Sequence, residues 1–157
     1  MNKIPMTADG YNRLREELRR LKTVDRPAII RAIAEARTHG DLAENAEYHA
    51  ARDRQSFIEG RVMELEEIVS AAEVIDPSTL SGEHIKFGAH VTLVDEETEQ
   101  ETSYQIVGVH EADVKARRLS ISSPLAKALI GKRVGDTVSV PAPGGDRSYE
   151  VLEVRYG

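Results

Sequence analysis

The sequence predicts an α+β protein: an N-terminal antiparallel helical hairpin (a coiled coil) followed by a C-terminal β-rich domain with one short helix. Three observations carry this expectation. Apolar residues recur at spacings of three and four over residues 7–72, the break Thr38-His39-Gly40-Asp41 divides that run near its middle, and beyond residue 84 the apolar residues shift to period two or to β-branched clusters.

The first helix is expected from Thr7 to about Thr38. Leu14, Leu18, Leu21, Ala28, Ile29, Ile30, Ile33 and Ala36 mark its apolar stripe, Thr7 is a suitable N-cap, and Arg and Glu fill the outward faces. Pro27 lacks a backbone donor and crowds the preceding turn, so a kink or restart is expected around Asp25-Arg26-Pro27.

Gly40 suits a left-handed C-terminal cap, and Asp41-x-x-Glu44 reads as a capping box that opens a second helix from about Leu42 to Ala72. The stripe there is Ala46, Ala50, Ala51, Phe57, Ile58, Val62, Leu65, Ile68, Val69 and Ala72. At about 1.5 Å rise per residue the two helices make rods of about 45 Å, and a short turn forces them antiparallel. Ala32 and Ala36 facing Ala46 and Ala50 would give a narrow tip.

Residues 1–76 are assigned to this hairpin, 77–83 to a polar linker, and 84–157 to the second domain. Five strands are expected there: Ala89 to Val94, Ser103 to Val109, Leu119 to Ile121, Thr137 to Val140 and Tyr149 to Val154. Ser123-Pro124 through Gly131 has the cap, first-turn proline and closing glycine of a short helix. Gly144-Gly145 reads as a hairpin turn, and the acids from Asp95 to Glu101 as a solvated one.

Composition narrows the function. The absence of cysteine excludes disulfides, thiolate metal sites and a thiol nucleophile. A net charge of −6, with acids outnumbering bases in both halves, disfavours broad binding to duplex DNA. No apolar run is long enough for a membrane span or a signal peptide, so a soluble cytoplasmic protein with no membrane partner is expected. A monomer is the expected state. Phosphate-cradling glycine motifs are missing, and His39, His49, His84, His90 and His110 do not have zinc-ligand spacing.

The chemistry that remains is at the hairpin tip, where Asp41, Glu44 and Glu47 are flanked by Arg37, His39, His49 and Arg52. Spacing alone makes Asp41 and Glu44 a helix cap before anything else. Two carboxylates are too few to enclose Mg²⁺, which wants six oxygens and borrows ligands from phosphates, but they could complete a site held by another molecule. A second metal ion beside a resident one activates water and stabilises the leaving oxygen of a phosphodiester. Tyr48 has two readings, a platform for a nucleotide base or a brace between the rods.

Gly40-Asp41-Leu42-Ala43-Glu44-Asn45-Ala46-Glu47-Tyr48, with Ala50-Ala51-Arg52 and Gln55, resembles the signature of the bacterial Gre transcript-cleavage factors. Pro5-Met6-Thr7 with Gly10, Arg26-Pro27, Ala36-Arg37, Phe87-Gly88, Ile106-Val107-Gly108, Ser123-Pro124-Leu125-Ala126 and Gly144-Gly145 extend the resemblance over essentially the whole chain. Sparse basic residues are similar to those of the GreA-type branch.

This resemblance implies a coiled coil that enters the secondary channel of RNA polymerase and a C-terminal domain, similar to FK506-binding proteins, that docks at the channel rim. It also implies a factor that is no enzyme itself but stimulates the polymerase's Mg²⁺-dependent cleavage of backtracked RNA. Asp41 and Glu44 would be the ligands of the shared Mg²⁺ and of water. Arg37 and Arg52 would contact the 3′ end of the nascent RNA, or else be solvated helix-face residues. Ser122-Ser123-Pro124 resembles the rim-docking turn. Asp or Asn commonly stands in the family at the position of Ser122, and Ser at that of Ala43.

Three other readings are weighed. A Gre-like inhibitor of the polymerase channel would carry a different set of tip acids. A non-catalytic coiled-coil adaptor would tolerate tip substitutions, and a prolyl isomerase would need a more aromatic cleft than Phe87, Tyr104, Tyr149 and Tyr156 provide.

Overall fold

A computed structural model describes residues 3–157. The chain forms two compact units, one of Tyr11–Ala72 and one of Lys3–Gly10 with Glu73–Gly157. The sequence boundary at residue 76 places all of the N-terminal residues in the hairpin. Lys3–Gly10 instead folds with the β-rich residues, because strand β1 (Ile4–Thr7) pairs with β2 (Ala72–Ile75). Neither four-residue strand was expected from the sequence.

Helix α1 (Ala8–Arg20) starts where predicted, with the Gly10 N–H donating to Thr7 Oγ1 at 3.1 Å. The expected interruption at Pro27 is a single π-helical turn, Leu21–Asp25, leading into α2 (Arg26–Arg37). There the Arg26 N–H reaches back to the Leu21 carbonyl, five residues away. The wider turn makes room for the proline ring without stopping the rod.

Helix α3 (Ala46–Ala71) packs against α2, and the buried seam of this unit comprises Leu14, Leu21, Ile33, Ala36, Ala51, Ile58, Val62, Leu65 and Ile68. Several expectations fail here, and Ala28 and Ile30 of the expected stripe are exposed. The close approach near the tip uses Ala36 and Ala51, whereas Ala32, Ala46 and Ala50 are exposed. Phe57 lies outside the seam, 60% exposed, with the Arg54 guanidinium over its ring. Bidentate pairs Arg26–Glu59 and Arg61–Glu17 tie the rods along their length, with N···O distances of 2.7 to 2.9 Å.

In the other unit all five expected strands form: β3 (His90–Asp95), β4 (Glu101–Val107), β5 (Arg118–Ser120), β6 (Thr137–Val140) and β7 (Arg147–Arg155). Their order is β5-β4-β3-β7-β6, antiparallel except for β4 with β5. The short helix α4 (Pro124–Leu129) packs Ala126 and Leu129 into a core with Ile85, Ala89, Val91, Leu93, Ile106, Val138 and Val151. Gly145, at φ 115°, makes the β6–β7 turn.

Two acids of this unit are structural. Asp95 departs from the solvated-turn reading, because it is buried and its Oδ1 accepts the N–H groups of Glu97 and Thr98 at 2.9 and 3.2 Å. Arg147 donates to its other oxygen at 2.9 Å. Glu111 is also buried. It accepts the N–H of Thr7 at 3.0 Å, the N–H of Gly108 at 2.8 Å and the Thr7 hydroxyl. Gly10 and Gly108 must lack a Cβ, which would strike the Glu111 carboxylate at the first and the Pro5 carbonyl at the second. Among the described residues, no helix is long and apolar enough to cross a membrane.

Candidate functional site

The bend between α2 and α3 is built from three successive local choices. Thr38 and His39 N–H groups close α2 on the carbonyls of Glu35 and Ala36 at 3.0 and 3.1 Å. Gly40 then turns the chain at φ 117°, a region that a side chain would disfavour. Asp41 follows in extended conformation, and its Oδ1 accepts the Ala43 N–H at 3.0 Å.

Here the predicted capping box is corrected. Asp41 caps only the short 3₁₀ turn Leu42–Glu44, and α3 opens four residues later than Asp41-x-x-Glu44 suggested, with Asn45 as its N-cap. Asn45 serves both helices at once: its Oδ1 accepts the Tyr48 N–H at 3.0 Å and its Nδ2 donates to the Ala36 carbonyl at 2.7 Å. One amide can accept from an orphan donor of α3 and donate to a carbonyl at the end of α2, which a carboxylate cannot do. Asn45 is the tip residue that sequence reasoning missed. Its signal was an Asn directly before Ala46-Glu47, in competition with the equally good cap at Asp41.

This arrangement frees the predicted acids. Asp41 and Glu44 are both exposed and line a shallow surface concavity with His39, Asn45, Ala46 and Glu47. Glu47 is engaged with His39 Nδ1 at 2.9 Å. Among the described residues no three His, Cys, Asp or Glu side chains are grouped to hold a metal ion. Asp41 and Glu44 are hard oxygen donors, suited in kind to Mg²⁺ but too few to enclose it.

Beside the acids, the structure brings Arg37 of α2 and Arg52 of α3 together around Tyr48. Both guanidiniums lie 5.9 Å from the ring centroid, and Arg52 Nη1 donates to the phenolic oxygen at 3.1 Å. The neighbouring Arg37 and Arg52 guanidiniums hold the Tyr48 phenol below its usual range. Of its two readings, Tyr48 is therefore a brace, linking an arginine from each rod.

In the other unit, the Ser123 hydroxyl is fully used: it donates to the Ser120 carbonyl at 2.7 Å and accepts the Ala126 N–H at 3.2 Å, capping α4. Ser122 and Pro124 are exposed, with the Ser122 hydroxyl 2.8 Å from that of Ser120.

Both units match known family models. One described as "Transcription elongation factor, N-terminal" covers residues 4–74, and one described as "Transcription elongation factor, GreA/GreB, C-term" covers residues 80–156. A two-rod hairpin with acids at its bend, carried with this β-rich unit, is thus of the transcription elongation factor class. Transcription elongation factor GreA of Acidiphilium cryptum is 74% identical over 157 residues, all of both chains, and that of Rhodospirillum rubrum is 66% identical over the same span. A solved structure of GreA factor homolog 1 (Gfh1) of Thermus thermophilus is 31% identical, covering 98% of this chain and 99% of that one, with a TM-score of 0.44. The chain belongs to the GreA/GreB family.

Proposed function

We propose that this chain acts in the cytoplasm as a monomeric accessory factor of RNA polymerase. It enters the secondary channel and stimulates the polymerase's own cleavage of backtracked RNA, rescuing arrested complexes, and is not an enzyme by itself. One observation supports this reading above the rest: the bend holds Asp41 and Glu44 in the open, Asp41 engaged through a single oxygen.

Each residue has a distinct task. Asp41 and Glu44 present carboxylate oxygens to a magnesium ion and its water within the polymerase site. When bound, Mg²⁺ supplies an acidified water and charge neutralisation at the phosphodiester. Gly40 and Asn45 fix the bend, so the backbone that carries the acids is set before they meet the polymerase. Arg37 and Arg52, paired through Tyr48, hold phosphates of the RNA 3′ segment. Ser122 and Pro124 meet the channel rim, on a turn that Ser123 stabilises from within.

Halted elongation complexes given Mg²⁺ and this protein should release short 3′ RNA fragments. Asp41→Ala or Glu44→Ala should slow release about 100-fold, the usual cost of removing one group that stabilises a transition state, while polymerase binding and helicity persist. If both variants cleave at the parental rate, the reading is wrong.

A further inference from the structure

Next to the paired arginines, a groove runs between α2 and α3, lined by Ile30, Ile33, Ala34, Arg37, Arg52 and Gln55. Its composition is unusual for the outside of a charged rod. No acid lines it, although acids outnumber bases in the chain. Ile30 belongs by spacing to the apolar stripe yet is 52% exposed, so the floor offers apolar surface to solvent. Gln55 is half-buried on the α3 side, where its amide provides both donors and an acceptor.

An apolar floor, a neutral hydrogen-bonding edge and two cations suit a nucleotide, with its flat base, its polar base edge and its phosphates. Tyr48 is already engaged by an arginine from each rod, one of which donates to its phenolic oxygen. The apolar surface of α2 is the alternative within reach of the same arginines.

We propose that this groove seats one unpaired base of the RNA 3′ segment. The base lies on Ile30 and Ala34, its edge is read by the Gln55 amide, and its flanking phosphates meet Arg37 and Arg52. The inference rests on the proposed function and adds to it a base-specific contact, so that the efficiency of cleavage depends on which base lies near the 3′ end.

The test uses halted elongation complexes with each of the four bases at the RNA 3′ end and the full chain carrying Ile30→Ser or Gln55→Ala. Both positions lie outside the buried seam, and circular dichroism checks that helicity is retained. Each variant should lower the maximal cleavage rate about fivefold, a modest share of what an apolar contact of this size can supply, without changing the half-saturating protein concentration. Gln55→Ala should also narrow the spread of rates among the four bases. Parental rates and base preference in both variants would overturn the proposal, as would a raised half-saturating concentration at parental maximal rate, which would turn the groove toward the polymerase. In either case, cleavage that still depends on Asp41 leaves the proposed function standing. A parent chain that releases no fragment overturns both.

Discussion

Four acids show how differently the two units use a carboxylate. In the β-rich unit, Asp95 and Glu111 are buried and every oxygen is engaged, three donors converging on Glu111 and three on Asp95. At the bend of the helical unit, Asp41 and Glu44 stand in solvent, and Asp41 accepts a single backbone N–H. A saturated carboxylate has spent its lone pairs on holding the chain. An unsaturated one, with at most one bond to its own chain, keeps the rest for another molecule.

The strongest attack on this contrast is to remove a saturated acid. Glu111→Ala leaves the N–H groups of Thr7 and Gly108 buried without a partner and should cost about 2–6 kcal/mol, the sum of two such penalties. The measurement is denaturant unfolding followed in the β-rich unit, and the loss should appear as a lower midpoint at unchanged slope. A midpoint equal to the parent's would mean that water replaces the carboxylate, and that saturation is no guide to role.

Much of this was legible beforehand, for physical reasons that differ by element. Helices and strands longer than a turn or two announce themselves by period, so α1 to α3 and the five-stranded sheet lie where Leu14 to Ile68 and Val91 to Val154 indicate. β1 and β2 did not, because each abuts a helix without a break, β1 running into α1 at Ala8 and α3 into β2 at Ala72, so no turn residues set them apart. Glu111 gave no signal at all. A lone acid in a polar loop acquires its role only when Thr7, Gly10 and Gly108 are brought to it, contacts 104 residues apart in the case of Thr7. At the candidate site the acids and arginines were legible as residue types. Which of Asp41 and Asn45 caps α3 was not, because both are good caps and the choice depends on the Ala36 carbonyl across the bend.

That choice gives a second, smaller effect. Asn45→Ala removes a bond to each helix end and should cost about 1–2 kcal/mol, whereas Asp41→Ala, at an exposed three-residue turn, should cost about 0.5 kcal/mol. Urea unfolding monitored by helicity separates the two. The order would sharpen the contrast, since the more stabilising tip residue would be the one without a charge. A reversed order would make Asp41 a structural acid like Glu111.

The smallest effect expected is at Asp95, and it is read by pH. Backbone N–H groups of Glu97 and Thr98 hold its carboxyl below the usual aspartate range, with Arg147 adding to them. A folded value below the unfolded one means that the unfolded chain binds the proton more readily. The contribution of Asp95 is therefore complete above the ordinary aspartate range and is lost as pH falls through the depressed folded value. Asp95→Asn should accordingly lower the unfolding midpoint at neutral pH, and the gap between variant and parent should close on acidification. Arg147 is more than half exposed, so salt should erode only its part, while the two backbone bonds persist. A gap independent of pH would show that Asp95 holds its turn by shape alone. The charge on a saturated carboxylate would then be incidental, and only the acids at the bend would need theirs.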